Sequence, residues 1–72
     1  MKRNWYAITV EGRLGNAARL AFEGLEVTES HGDRTTLTGE LDQSGLYGIL
    51  LRGQALALEL VDVRRVADAQ AG

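Results

Sequence analysis

Hydrophobic and polar positions alternate strictly near the start of the chain. From Trp5 to Glu11, Tyr6, Ile8 and Val10 fall on one side and Trp5, Ala7, Thr9 and Glu11 on the other, which is the period of a β-strand. Gly12 and Gly15 then mark a bend. Asn16 is placed to cap a short helix in which Arg19 and Glu23 share one face, with Ala21 opposite and Leu20 and Phe22 flanking it. Gly24 is the expected left-handed stop, with Leu25 folding back on Leu20 as in a Schellman motif. The stretch "LEVTESHGDRTTLTGEL" reads as two strands joined by a hairpin loop, "SHGD". Leu25, Val27, Leu37 and Gly39 face one way, and Glu26, Thr28, Thr36, Thr38 and Glu40 the other.

At Asp42 the period changes. Its carboxylate can accept from the free amides of a first helical turn, and Leu41 and Leu46 are spaced as a hydrophobic staple across that cap. Leu46, Ile49, Leu50, Gly53 and Leu56 then recur at helical spacing, which predicts a helix to about Leu56. From Leu58 onward the even positions Leu58 and Leu60 and the odd positions Val61 and Val63 are all apolar. The last strand is therefore covered on both sides or bulged partway.

Strand, helix, strand, strand, helix, strand is the order of an α+β, ferredoxin-like split βαβ (βαββαβ) fold, a four-stranded antiparallel sheet with both helices on one face. The core expected between sheet and helices is Tyr6, Ile8, Val10, Phe22, Leu25, Val27, Leu37, Leu46, Ile49, Leu50, Leu56 and Leu60. The chain reads as one domain over residues 1–72, with residues 1–3 and 68–72 expected to fray. Gly45, Gly48 and Gly53 are out of place in a helix interior, where each costs up to about 1 kcal/mol relative to Ala. Gly53 lies on the sheet-facing stripe, so its missing side chain is expected to let the helix approach closely; Gly45 and Gly48 lie off that stripe.

Composition narrows what such a domain can do. A chain of 72 residues without Cys has no disulfide or thiolate metal site, and a single His is too few for an ordinary zinc site, so neither metal nor cofactor is expected. Eight basic residues against ten acidic ones leave a net charge of −2, which repels polyanions. No apolar run approaches the roughly 18 residues of a membrane span, and the start of the chain lacks the apolar stretch of a signal peptide. A soluble, cytoplasmic protein is the expectation.

"LTGELDQSGLYGILLRGQALALELVDVRRV" resembles a group of small bacterial proteins of about this length to which no activity is attached. The match is carried by Thr38, Gly39, Asp42, Gln43, Leu46, Gly48, Leu50, Arg52, Leu56, Leu58, Leu60 and Val63 to Val66, with Phe22, Gly24 and Leu25 extending it to the first helix. The resemblance implies a ferredoxin-like fold and no chemistry. Two positions depart from that pattern: Ala57 stands where Gly is usual at the helix end, and Gly53 where a larger residue is usual.

Candidate sites are few. Trp5 is placed on the open sheet face, where aromatics can stack on RNA, but the second hairpin strand supplies no partner aromatic and the charge is wrong. "VEGRLGNAAR" is similar to the phosphate-binding loop of acylphosphatases, yet Leu20 stands where that family has its Arg, with Arg19 one place off, and no Asn lies on the third strand to orient a water. His31, Asp33 and Arg34 read as hairpin-loop residues, and the Arg64–Arg65 pair as a solvated strand end. The expected function is a non-enzymatic interaction domain with no catalytic residues, forming a two-fold homodimer through Trp5, Ala7, Val61 and Val63 on the open sheet face. Tyr47 and Leu51, on the outer flank of the second helix, are the competing interface. The alternative is a regulatory module that binds a small ligand at a dimer interface, with a weak RNA binder and an acylphosphatase-like hydrolase as remoter readings; no nucleic acid or membrane partner is expected.

Overall fold

The computed structural model describes residues 2–29 and 32–66. Six elements follow one another: β1 (Asn4–Glu11), α1 (Asn16–Ala21), β2 (Glu26–Glu29), β3 (Arg34–Leu41), α2 (Gln43–Ala55) and β4 (Leu60–Val66). The strands form one antiparallel sheet in the order β2-β3-β1-β4. β1 and β2 therefore run parallel on either side of β3, and β3 and β4 on either side of β1, so each helical connection crosses one strand. The expected fraying of residues 68–72 and the expected solvated loop position of His31 lie outside the described residues.

The alternating residues of β1 set the layers. Ile8 and Val10 are buried on one face, Leu37 of β3 lies directly opposite Ile8, and Leu14, Phe22 and Ile49 complete a buried apolar cluster. Ala18 and Ala21 of α1, with Leu46 and Leu50 of α2, pack against that same cluster, so both helices cover one face of the sheet. Each fully buried Val, Leu, Ile or Phe side chain of the cluster contributes about 1.5 to 3 kcal/mol. Leu25 and Val27 pack against the cluster at half-buried positions and Tyr6 is half-buried, whereas Leu56 and Leu60 are 42% and 51% exposed and do not join the core. Leu14 and Thr35 are buried without having announced themselves in the pattern. The Thr35 hydroxyl donates to the Gly12 carbonyl at 2.7 Å, and the Gly12 amide donates to the Asp33 carbonyl. Together these bonds tie the β1–α1 loop to the β2–β3 hairpin.

α1 is shorter than its pattern. Gly15, not Asn16, is its N-cap, no side chain caps it, and it ends at Ala21 with Phe22 as C-cap. Gly24 has the expected positive φ of 98°, but Leu25 does not close on Leu20, which stays 72% exposed. Leu25 instead lies over Gly39 of β3, its side chain filling the space that a Cβ on Gly39 would need and its Cα 3.6 Å from that point. A small residue on β3 thus draws the α1–β2 connection down onto the sheet.

β4 corrects the expected alternation. Val66 to Asp62 pair with Trp5 to Thr9 in step, after which Val10 faces Leu60, leaving Val61 as the extra residue of a β-bulge. Because of that insertion Leu60 and Val63 fall on the same, helix-covered face although their spacing is odd. Val63 sits opposite Ile8 and packs against the core. It is therefore not on the open face beside Trp5 and Ala7, and Val61 is a bulge residue.

α2 matches its pattern at both ends. The Asp42 carboxylate accepts from the Gly45 amide at 2.7 Å. At the other end the Ala57 amide donates to the Gln54 carbonyl at 3.0 Å and the Leu58 amide to the Gly53 carbonyl at 2.9 Å, the paired bonds of a Schellman motif. The left-handed position of that motif is Ala57, at φ 59°. A Cβ there is strained, so Ala57→Gly is expected to stabilise the domain by about 1 kcal/mol. A urea midpoint that failed to rise would contradict the assigned helix end. Gly39→Ala is expected to destabilise by about 1 to 3 kcal/mol through its collision with Leu25. Adding Leu25→Ala should make that second substitution nearly neutral, which a double-mutant cycle measures.

Candidate functional site

The helical layer covers the sheet unevenly. α1 has only six residues, and on the last turns of α2 the sheet-facing position is Gly53. Outside its chain neighbours and the backbone of its own helix, no described heavy atom lies within 4 Å of where its Cβ would stand, so the helix does not use this glycine for a close approach; it leaves space. The result is a cleft of about 500 Å³ between the C-terminal end of α2 and strands β1 and β4. Its floor is Ile8, Val10 and Leu37, with Phe22 behind them, and its roof is Ile49, Leu50 and Gly53. The mouth is the turn Ala57–Leu60, held by the Schellman bonds at one end and by the Glu11 amide donating to the Glu59 carbonyl at 2.9 Å at the other.

The chemistry of this cleft is simple. Its walls are apolar, and among the described residues the only polar side chains lining it are the amide of Gln54 and the carboxylate of Glu59, with no cationic side chain. Such a volume, with apolar walls and a few polar groups at the rim, suits a small molecule with a hydrophobic body. The sequence carried two signals of it, Gly53 on the buried stripe and the apolar residues of both parities after Ala57, but they do not reveal that the two meet.

A second cavity, of about 390 Å³, lies on the other flank of α2 and is far more polar, with Arg3, Glu23, Glu40 and Arg52 in its walls. Its cations are engaged. Arg52 donates to the Ala21 carbonyl at 3.0 Å, which also fixes α1 beside α2, and Arg3 donates to the Glu40 carbonyl at 2.8 Å while pairing with its carboxylate at 3.6 Å.

The open sheet face is different from the expected patch. Trp5 lies between Glu40 and Val66, Ala7 between Thr38 and Arg64, and Thr9 between Thr36 and Asp62. The hydroxyls of Thr9 and Thr36 share a hydrogen bond of 3.3 Å, and Arg64 donates to Asp62 at 3.0 Å. Trp5, Ala7 and Val66 are thus an apolar corner on a face of threonines and charges, and Trp5 has no aromatic neighbour across the strands. Tyr47 and Leu51 are exposed on the flank of α2 turned away from α1, with Gln43 donating to the Tyr47 hydroxyl at 3.0 Å.

In the loop similar to a phosphate-binding loop, the Gly12 amide is already bonded to Asp33 and Leu14 is buried in the core, while Arg19 lies in the last turn of α1. Among the described residues no three His, Cys, Asp or Glu side chains come together as metal ligands, and no helix is long and apolar enough to cross a membrane.

No curated protein and no solved structure matches this chain. A family model described as a domain of unknown function (DUF8691) matches residues 5–64, a span that contains every residue of the cleft, and the chain belongs to that family.

Proposed function

We propose that this chain is a small, non-enzymatic binding domain of ferredoxin-like fold that takes a compact, largely apolar molecule in the cleft beneath the end of α2. The strand order and the two single-strand crossovers support the fold assignment. The observation that carries the functional reading is Gly53. A residue that weakens α2 by up to about 1 kcal/mol occupies a helical position that lines the cleft and has open space where its side chain would stand. Apolar walls give affinity in proportion to the area hidden, about 25 cal/mol for each Å². Gln54 and Glu59 at the rim favour a ligand that presents a hydrogen-bond donor or a positive charge, since the described lining offers a carboxylate and no cation to balance an anion.

The test uses Nile red as a neutral apolar probe. The parent chain is expected to bind it saturably at one site, and octylamine to displace it better than octanoate. Gly53→Leu should raise the thermal midpoint, because a helix former replaces glycine, and reduce Nile red affinity about tenfold or more, because the side chain enters the cleft. A stabilised variant that binds the probe as well as the parent does would overturn the reading.

A further inference from the structure

β4 is an edge strand of seven residues, the other edge being the four-residue β2 with Glu26 and Thr28 on its open face. An edge presents unpaired amides and carbonyls that a further strand can use. We infer that the occupant of this edge is a second copy of the same strand, paired antiparallel about a two-fold axis at Val63. The pairing rests on the residues of β4 and on the flank of α2 beside it.

Register selects the axis. Residues opposed across two strands must share a sheet face, so a symmetric β4 pair can be centred only on a residue, and the registers about the middle of the strand, centred from Asp62 to Arg65, differ in the charges they oppose. Centring on Asp62 opposes two carboxylates, and centring on Arg64 or Arg65 opposes two guanidinium groups, all of which repel. Centring on Val63 sets Asp62 against the second copy's Arg64 and Arg64 against its Asp62, with valine against valine between them. Asp62 and Arg64 already pair along one strand at 3.0 Å on the open face, so the two copies together would form a square of alternating charge. The bulge residue Val61, 37% exposed, would then face the aliphatic stem of the other Arg65.

The same axis explains where the exposed apolar residues lie. Arg52 holds α1 on one flank of α2, and Tyr47 and Leu51 occupy the flank away from it. Seven residues beyond Tyr47, on that same flank, Gln54 lines the cleft together with Leu60 of β4. Tyr47, Leu51, Leu60 and Val61 therefore sit on the β4 side of the molecule, where the second copy would cover them. Such a dimer joins two four-stranded sheets into one and leaves the threonine-rich open face to solvent, unlike a dimer formed face to face.

Sedimentation equilibrium of the full chain decides. The parent is expected to be a dimer at high micromolar concentration. Asp62→Arg opposes four arginines in the favoured register and should weaken the dimer about tenfold or more, as should Arg64→Asp through its four carboxylates. The double variant Asp62→Arg/Arg64→Asp restores alternation and should recover the parent's dimer constant. Far-UV circular dichroism confirms that each variant is folded, and hydrogen exchange of the β4 amides in the parent should speed up on dilution. A parent that runs as a monomer, a dimer indifferent to Asp62→Arg, or a charge swap that fails to restore association would each overturn the inference.

Discussion

The eight-residue ladder between β1 and β3 is the constraint on which the rest depends. It sets Ile8 against Leu37 on the covered face, and every other buried side chain is arranged around that pair. The ladder has no slack at either end. Gly39 must stay bare so that Leu25 can lie across it, and Thr35 must donate to the Gly12 carbonyl so that Leu14 can turn into the core. A one-residue slip would put Ile8 and Val10 among threonines. The six apolar residues buried among the described ones are few for a domain without a disulfide, so a loss at this ladder would not be offset elsewhere.

Much of this was legible along the chain because the relevant signals are local. The alternation of β1, the Asp42 cap and the i, i+3, i+4 spacing of α2 each involve neighbours a few residues apart, and each matches the element that forms. Leu14 and Thr35 were not legible, since both are buried by a loop-to-hairpin contact between distant segments. The length of α1 was misjudged because Asn16 is a good cap by type, yet the helix starts one residue earlier around Gly15 and ends at Ala21, where Phe22 leaves it to enter the core.

The candidate site shows the same division. Gly53 and the apolar run after Ala57 are visible in the sequence, and even the possibility of a bulge follows from residues of both parities being apolar. What no local rule supplies is where the bulge falls. Placed at Val61, it returns Val63 to the covered face and removes two of the four residues from the expected open-face patch. The cleft exists because that irregular strand, a helix ending in a left-handed alanine and a side-chain-less helix position converge on one corner of the sheet.

Trp5 pairs with Val66, so the first and last strands meet at the end of the sheet with nearly the whole chain between them. That contact closes the longest loop in the domain, and loop closure is slow and entropically costly compared with forming α2 or the hairpin. Since Trp5 is the chain's single tryptophan and lies between Glu40 and Val66, its emission is a built-in clock for the docking of β3 and β4 onto β1, separable from the far-ultraviolet signal of the helices. Folding followed by the two signals would time the closure of the sheet against the growth of local structure without any label being added.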